Sequence, residues 1–263
     1  MDKIYKEILR LQETGQTGAL CTIVHSQGSA PRHTGSKMLV YQDGNIIGSV
    51  GGGEIESRVI QEALQAISDG KTRMLKYSLV DPKRGDVGIC GGQVEVFVEP
   101  IVPAPLLVVV GGGHVGKAVA HLAKWLGFRV AVSDDRAEFC NPDAVPDADE
   151  FYNVPLEELP KYLNITPSTY LVLTTRGLMV DVPGLPALLD TPAAYIGVIG
   201  SKRRWIFARK KIIESGIPEE KLAKVYSPIG LDINAETPEE IAVSIMAEVI
   251  MRRNGGTGKS LKM

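Results

Sequence analysis

The chain has 263 residues, of which 44% are hydrophobic and 23% are charged, a composition typical of a soluble globular protein. Its formal net charge of −2 argues against a general nucleic-acid-binding protein, which would carry a basic surface. The three cysteines, Cys21, Cys90 and Cys140, stand far apart, which favours a reducing cytoplasm over a disulfide framework. The charged start of the chain lacks the apolar core of a signal peptide, and no run approaches the ~20 apolar residues of a membrane helix. We therefore expect a cytoplasmic protein that binds neither nucleic acid nor membranes.

The first hundred residues predict a small α+β domain. In chain order, the hydrophobic spacing predicts a helix over 2–13, strands over 19–24, 37–41 and 45–50, and a helix over 54–68. The dipeptide Asp43–Gly44 is a hairpin turn signal that joins the second and third of these strands. Another strand around 94–98 is expected to stop at Glu99–Pro100.

A segment with two prolines, 101–105, is the best candidate for a domain boundary, because proline restricts the chain to extended conformations. We therefore expect an N-terminal domain over 1–102 and a C-terminal domain over 103–263. The continuous apolar run 106–110 is typical of a strand buried on both faces. The elements expected after it are a helix over 115–126, strands over 128–133, 169–174 and 194–199, and a helix over 202–215. This alternation predicts an α/β domain with a Rossmann-like parallel sheet.

The last helix of the chain has the clearest start signal. Thr237 is expected to be the N-cap, Pro238 lies in the first turn, and Glu240 completes a capping box. Ile241, Ile245 and Val249 are then expected to form the buried stripe of this helix.

A glycine-rich loop follows the apolar strand of the C-terminal domain and has the spacing Gly111-x-Gly113-x-x-Gly116. In this context the first glycine permits a tight turn and the second lets the backbone approach a pyrophosphate. The third allows the helix to pack closely on the strand. The helix that follows would present free N–H groups and the positive end of its dipole to an anion. The loop therefore predicts binding of a nucleotide or a related phosphate, against the alternative of a Rossmann-like domain that has lost its ligand.

Several polar residues near this loop are candidate ligand contacts. Asp134 ends the next strand and suits a hydrogen bond to a ribose hydroxyl, with Asp135 as the alternative acid. Side chains alternate across a strand, so only one of these two acids is expected to face the ligand. His114, inside the loop, is either a donor to phosphate or an ordinary exposed histidine. The basic junction Gly200–Arg204 either holds a second anion or is a solvated face.

Cys90 is the cysteine with a functional context. Glycines flank it on both sides, at Gly88 and at Gly91–Gly92, which keeps the thiol accessible and lets a large ligand approach the backbone. The alternative is a buried structural cysteine, but such a residue more often lies within an apolar run, as Cys21 does. Cys21 and Cys140 are therefore interpreted as structural.

Short motifs occur in order along nearly the whole chain. Those of the first half are Gly28–Arg32, Gly35–Met38, Gly51–Glu56 and Cys90–Gly92. Those of the second half are Gly111–Gly116, Asp134–Arg136, Thr175–Gly177, Ile199–Lys202, Pro228–Asp232 and Glu236–Ala242. With this ordered set, the chain resembles the XdhC/CoxI family, the xanthine dehydrogenase accessory proteins.

The resemblance implies a cofactor-binding chaperone more than a catalyst. Such a protein binds molybdenum cofactor (molybdopterin), promotes its sulfuration, and helps to insert it into a molybdenum hydroxylase such as xanthine dehydrogenase. The implied partners are that client, a cysteine desulfurase as sulfur donor, and a second copy in a homodimer. The residues assigned to the cofactor are Gly52, Gly53, Cys90, Gly111, Gly113, His114, Gly116 and Asp134. Among them, Cys90 is the candidate contact to molybdenum or to its dithiolene.

Two departures from the family pattern and two rival functions remain open. Many relatives carry paired cysteines where this chain has Ile89–Cys90, and many carry histidine where it has Leu178. The chain therefore departs from the two-thiol pattern and lacks a histidine in the later loop. One rival is an NAD(P)-dependent oxidoreductase, which the glycine loop and Asp134 would equally suit. The other is a protein that binds the hydroxylase without holding a ligand.

Overall fold

The structure of the protein is a computed structural model that describes residues 2–28, 32–78 and 92–262. Within these ranges the chain divides into two compact units, Met1–Pro103 and Ala104–Met263. Cys90 and the motif residues 29–31 lie outside the described residues. In the part of the chain that is described, no helix combines the length and apolar character needed to cross a membrane.

The first unit is an α+β arrangement built on one antiparallel sheet. Its elements are α1 (Asp2–Glu13), β1 (Gly18–Gln27), β2 (Lys37–Tyr41), β3 (Ile46–Gly48), α2 (Gly53–Asp69), β4 (Arg73–Ser78) and β5 (Gln93–Ile101). The strands lie in the order β3-β2-β1-β5-β4. The hairpin turn predicted at Asp43–Gly44 is confirmed, with Gly44 in the left-handed region at a φ of 83°. Strand β3 is shorter than the predicted strand over 45–50. Strand β4 was not predicted from the sequence.

Alternation along the strands of this unit places apolar residues on both faces of the sheet. One face, including Cys21 and Ile23 of β1, packs against Ile55 and Val59 of α2. The other face packs against α1. The predicted end of β5 is wrong, because the strand continues through Pro100 to Ile101. The neighbouring strand β4 pairs no further than Val98, so the missing N–H of Pro100 removes no hydrogen bond on that side.

The second unit alternates strands and helices, as predicted. Its elements are β6 (Leu106–Val110), α3 (His114–Trp125), β7 (Arg129–Ser133), β8 (Glu150–Tyr152), α4 (Leu159–Tyr162), β9 (Thr169–Leu173), α5 (Leu178–Leu189), β10 (Tyr195–Val198), α6 (Lys202–Glu214), β11 (Val225–Tyr226) and α7 (Pro238–Asn254). All five pairings between its strands are parallel, and the strand order is β11-β10-β9-β6-β7-β8. The predicted Rossmann-like parallel sheet is confirmed.

Two layers of helices cover this parallel sheet. Helices α3 and α7 pack on one face, and α4, α5 and α6 pack on the other. Every residue of the central strands β6 and β9 is buried, which confirms the interpretation of 106–110 as a strand covered on both sides. Apolar packing on both faces therefore stabilises the sheet. The polar residues of this unit that could bind a ligand lie at the ends of its strands.

The start of α7 follows the sequence prediction. The Thr237 hydroxyl accepts from the Glu240 N–H at 3.2 Å, and the Glu240 carboxylate accepts in return from the Thr237 N–H at 3.2 Å. Of the predicted stripe, Ile245 and Val249 are buried, whereas Ile241 is half-buried at the edge of the core.

We expect Thr237→Ala to lower the free energy of unfolding by about 1 kcal/mol, because an N–H at the start of α7 loses its acceptor. Urea denaturation of the variant and of wild type measures this difference. Thr237→Ser keeps the hydroxyl and is the matched control, which should stay close to wild type. An equal loss in both variants would contradict the capping role.

Candidate functional site

The family-like motifs of the second unit meet at one edge of its sheet. Five of them are the segments that follow successive strands: 111–116 after β6, 134–136 after β7, 175–177 after β9, 199–202 after β10 and 228–232 after β11. Because the strands are parallel, their carboxyl ends lie along the same edge. In open α/β sheets this is the edge where ligands bind.

The glycine loop at this edge owes its shape to close backbone contacts. Gly111 has a φ of 105°, a conformation that favours glycine. A Cβ on Gly116 would lie 2.0 Å from the carbonyl oxygen of Gly111, so only glycine lets α3 approach the end of β6. The Thr174 hydroxyl donates to the same carbonyl at 2.8 Å. A Cβ on Gly113, in contrast, would meet nothing within 4 Å, so the backbone there is open to an approaching group.

The first turn of α3 presents backbone N–H groups at this opening. The first hydrogen bond of the turn runs from the N–H of Lys117 to the carbonyl of Gly113, at 2.8 Å. The N–H groups of residues 114–116 have no acceptor among the described residues. His114 is exposed at the first helical position, and its ring has no hydrogen-bond partner in the described part of the chain. This arrangement suits an anion such as a phosphate group.

Asp134 holds this loop in place. Its carboxylate accepts from the N–H of Gly112 at 3.1 Å, and it is nearly buried. The same carboxylate accepts from the backbone N–H and from the Nε and Nη2 of Arg136, each at 3.0 Å. These bonds use the oxygen positions that a ribose hydroxyl would need. The geometry therefore gives Asp134 the role of organising the glycine loop.

Asp135 and Arg176 form an ion pair between two of the loops. Two guanidinium nitrogens of Arg176 donate to the two carboxylate oxygens of Asp135, at 2.6 and 2.7 Å. Hydrogen bonding to Arg176 lowers the pKa of the Asp135 carboxyl below its usual value. Asp134 and Asp135 both line the same cavity. Because β7 ends at Ser133, strand alternation does not extend to the two acids, and which of them faces a ligand stays a prediction.

A buried polar cluster lies behind Thr175. Asp181, in the first turn of α5, accepts from the Thr175 hydroxyl and from Arg204 Nη2, which lies 2.5 Å away. The same Arg204 nitrogen donates to the Thr175 hydroxyl at 3.1 Å. The cluster ties the loops after β9 and β10 together, and it draws Arg204 of the basic junction Gly200–Arg204 away from solvent.

The first unit carries its own ordered glycine loop. The Glu56 carboxylate accepts from the Ser49 hydroxyl at 2.7 Å and from the N–H groups of Val50 and Gly52, each at 3.3 Å. Gly52 and Gly53 have φ values of 75° and 61°, and a Cβ on either would meet nothing within 4 Å. The glycines are therefore accessible, and Glu56 of the same motif fixes their loop.

The motifs and the folds of both units agree with matches to family models. Residues 107–249 match the model described as the XdhC Rossmann domain, and residues 11–78 match that of the XdhC and CoxI family. The chain belongs to the XdhC and CoxI family. The resemblance inferred from the ordered motifs is confirmed.

Three relatives illustrate the range of the family. The uncharacterized protein YqeB of Escherichia coli K12 is 36% identical over 261 residues, covering 97% of this chain and 47% of YqeB. A Bacillus subtilis protein named as a probable subunit of xanthine dehydrogenase is 34% identical over 158 residues, or 60% of this chain and 46% of that protein. The molybdenum cofactor insertion chaperone PaoD of E. coli is 26% identical over 265 residues, covering 90% of this chain and 83% of PaoD. The chain thus spans about half the length of the first two relatives and most of the third.

The described cysteines of this family member are buried. Cys21 is fully buried in the first unit, and burial raises the pKa of its thiol to about 12. Cys140 is buried in the second unit, donates to the carbonyl of Val132 at 3.5 Å, and also has a pKa raised by burial. In the described part of the chain, no group of three or more His, Cys, Asp or Glu side chains is arranged to hold a metal ion.

We expect the thiols of Cys21 and Cys140 to resist modification in the native state, because burial and a raised pKa keep them protonated and shielded. In a Cys90→Ser variant, titration with a chromogenic disulfide reagent at about pH 8 should detect no fast-reacting thiol. After unfolding in guanidinium chloride, both thiols should react. Fast reaction of either one in the native variant would contradict their structural role.

Sequence reasoning missed the contribution of two residues to this edge. Ser133 lines the cavity beside the two acids, and Arg176 pairs with Asp135 across it. A hydroxyl that directly follows the apolar run 130–132 of β7 was the available signal for Ser133. Arg176 lies within one of the ordered motifs, but its partner is 41 residues away in the sequence.

Proposed function

We propose that this chain binds molybdenum cofactor and promotes its insertion into a molybdenum hydroxylase of the xanthine dehydrogenase type. The observation that carries the proposal is the convergence of five family-like motifs on one edge of the parallel sheet, around N–H groups that have no acceptor in the described part of the chain. The names of two relatives support the same role, since PaoD is called a molybdenum cofactor insertion chaperone and the B. subtilis protein is named as part of a probable xanthine dehydrogenase.

The proposed cofactor fits the glycine loop through its phosphate. Gly113 has open space where a Cβ would stand, and the N–H groups after it lack acceptors among the described residues. Gly111 and Gly116 shape the turn, and His114 is exposed beside it as a further donor. In this proposal Asp134 acts as a positioning residue, because its carboxylate is already bonded to the loop and to Arg136.

Cys90 is the proposed contact to molybdenum or to its dithiolene. Thiolate is a soft ligand that suits a metal–dithiolene group. Gly52 and Gly53 offer accessible backbone in a loop that Glu56 holds. We further propose that the chain acts as a homodimer and promotes sulfuration with sulfur supplied by a cysteine desulfurase.

The test is activation of the client. The chain is purified, analysed by mass spectrometry for bound pterin, and mixed with a cofactor-free hydroxylase. Wild type should retain the pterin and restore hydroxylase activity. Cys90→Ser should lower both cofactor retention and activation, whereas Cys140→Ser, which keeps a donor to Val132, should match wild type. If Cys90→Ser retains the cofactor and activates the hydroxylase as wild type does, Cys90 does not contact the cofactor. If wild type neither retains the pterin nor activates the hydroxylase, the proposed function is wrong.

A second candidate is an NAD(P)-dependent oxidoreductase. The strand order of the parallel sheet, counted from β6, is 3-2-1-4-5-6, the order of dinucleotide-binding domains. Titration with NAD(H) and NADP(H) separates the two candidates. Tight nicotinamide binding with turnover of a small substrate would favour the oxidoreductase over the chaperone.

A further inference from the structure

A cleft of about 430 Å³ opens in the first unit, between α1 and the hairpin of β2 and β3. Two of its lining side chains are cations, Arg32 and Lys37, and the others are Ile4, two glycines and two serines. No Asp or Glu is among the described residues that line this basic cleft. Its surface therefore combines positive charge and hydrogen-bond donors with one apolar contact, Ile4.

The register of the antiparallel sheet directs Lys37 into the basic cleft. Lys37 stands opposite Thr22 of β1, and its Nζ donates to the Thr22 hydroxyl at 3.2 Å. Successive side chains of a strand point to opposite faces of the sheet. Lys37 therefore shares its face with Leu39, which packs against Ile4 of α1, whereas Met38 packs in the core beneath α2.

Two glycines keep the backbone of the basic cleft open. Gly48 has a φ of 86°, and a Cβ there would lie 2.4 Å from the carbonyl oxygen of Lys37 and 3.0 Å from the Cδ1 of Ile4. Only glycine therefore lets the end of β3 come this close to β2 and α1. A Cβ on Gly35, in contrast, would meet nothing within 4 Å, so a ligand can approach the backbone at that point.

Neither cation of the basic cleft pairs with a carboxylate among the described residues, whereas Arg10, Arg58 and Arg73 of the same unit each pair with an acid. Lys37 is half-buried and uses one of its three donors on a neutral hydroxyl. A cation that has lost part of its hydration is stabilised by a counter-charge. Because the described protein supplies none at Arg32 or Lys37, a bound anion would provide it.

We propose that the basic cleft binds the phosphate group of a small organic phosphate monoester. The inference goes beyond the proposed function, since none of the residues lining the basic cleft is assigned to molybdenum cofactor. A phosphate monoester carries a charge of about −1.5 to −2 at pH 7, which matches two cations. A carboxylate or a sulfate ester carries a single negative charge and would leave part of the positive charge uncompensated.

The donors of the basic cleft suit a phosphate group. The guanidinium of Arg32 can donate two parallel hydrogen bonds to phosphate oxygens, and Lys37 supplies a point charge. The Ser36 hydroxyl forms no hydrogen bond within the described part of the chain and is a further donor. The Ser49 hydroxyl is already engaged, because it donates to Glu56 at 2.7 Å.

The size of the basic cleft favours an ester over free phosphate. Its volume of about 430 Å³ lies within the range of small-molecule sites. A phosphate group on the two cations fills only a small part of that volume. The remaining space is bordered by the buried side chain of Ile4, so an apolar part of the ligand would contact it.

Nuclear magnetic resonance of the full chain, with its isoleucine methyl groups labelled, tests this proposal. The Ile4 signal is assigned from its absence in Ile4→Val and reports on the basic cleft alone, even if phosphate also binds elsewhere. Phenyl phosphate should shift this signal with a Kd of about 1 mM or lower, and phenyl sulfate should bind about tenfold more weakly. No shift with phenyl phosphate, or equal affinity for the two esters, would overturn the inference.

Inorganic phosphate distinguishes the two sources of the same chemistry. It should bind more weakly than phenyl phosphate, because it lacks the apolar contact with Ile4. If inorganic phosphate binds as tightly as phenyl phosphate, the assignment to an ester is wrong.

Charge-matched variants locate the phosphate group. Arg32→Gln and Lys37→Gln should each weaken phenyl phosphate binding about fivefold to tenfold, because each removes a charged donor. Lys37→Arg keeps the charge and should bind nearly as wild type does. Lys71→Gln removes the same charge at an exposed position beside β4, the opposite edge strand of the sheet, and should leave binding unchanged. Equal weakening in Lys71→Gln and Lys37→Gln would show a general charge effect and refute the site.

The outcomes also separate this inference from the proposed function. If phenyl phosphate binds in the basic cleft but the chain does not activate a hydroxylase, the cleft assignment stands and the chaperone role fails. If the chain activates the hydroxylase while the Ile4 signal does not respond to phenyl phosphate, the chaperone role stands and the cleft assignment is wrong.

Discussion

Gly116→Ala is expected to lower the free energy of unfolding of the second unit by about 3 kcal/mol or more. The new Cβ would lie 2.0 Å from the carbonyl oxygen of Gly111 and 2.9 Å from the Thr174 hydroxyl oxygen. The first neighbour is backbone, so α3 has to move away from the end of β6. In a helix, alanine is more favourable than glycine by about 1 kcal/mol. The steric cost of the new Cβ must therefore exceed this gain before a loss of stability is measured. Urea denaturation followed by circular dichroism measures the effect.

Gly113→Ala is the matched control in the same loop. Gly113 has an ordinary φ of −70°, and its Cβ would meet nothing within 4 Å, so the free energy of unfolding should stay near that of wild type. Its methyl group would instead occupy the space through which a phosphate approaches the backbone. We therefore expect Gly113→Ala to weaken pyrophosphate binding in a stable protein. Equal stability of the two variants would contradict the steric role of Gly116.

The sequence alone could predict the roles of these glycines, because their spacing encodes a local geometry. A strand, a tight turn and a helix are close in the chain, and the nearest contact of Gly116 is the carbonyl oxygen of Gly111 in the same loop. The capping box at Thr237 and Glu240 was predictable for the same reason. Patterns of residues close together in the sequence predicted the start of α3, the start of α7 and the hairpin at Gly44.

Helix α5 could not be predicted from its residues. It contains Pro183 and Pro186, which break a hydrogen bond each, and its apolar residues show no helical period. The helix forms because it is buried on the sheet, where Leu185 and Leu188 are fully covered. Tertiary packing overrides local propensity here, and that packing is not visible in the sequence.

The roles of the acids after β7 also depend on distant contacts. Asp134 and Asp135 are equivalent as sequence, yet one bonds to Gly112 and the other to Arg176. These partners come from loops 22 and 41 residues away. The spacing predicted two acids beside the glycine loop, but only the fold distinguishes Asp134, which organises the loop, from Asp135, which pairs with Arg176.

Asp181→Ala is expected to lower the free energy of unfolding by about 3–5 kcal/mol. The Asp181 carboxylate is 1% exposed and accepts from Arg204 Nη2 and from the Thr175 hydroxyl. Its removal leaves the Arg204 guanidinium, whose Nε already lacks an acceptor among the described residues, without its counter-charge. Chemical denaturation gives the change in free energy. Asp190→Ala, which breaks the exposed pair with Lys221, should leave stability nearly unchanged.

A double variant at Asp181 and Arg204 separates two contributions to the free energy of unfolding. One is the loss of the buried ion pair, and the other is the loss of side-chain packing. In Asp181→Leu with Arg204→Met, no unpaired charge remains, so the double variant should be more stable than the sum of the single losses predicts. Thr175 keeps its hydroxyl in the double variant and in the two single variants, Asp181→Leu and Arg204→Met, so their comparison isolates the coupling between Asp181 and Arg204. If the single losses added without coupling, Asp181 and Arg204 would act independently, and the cluster would have no role in joining the loops after β9 and β10.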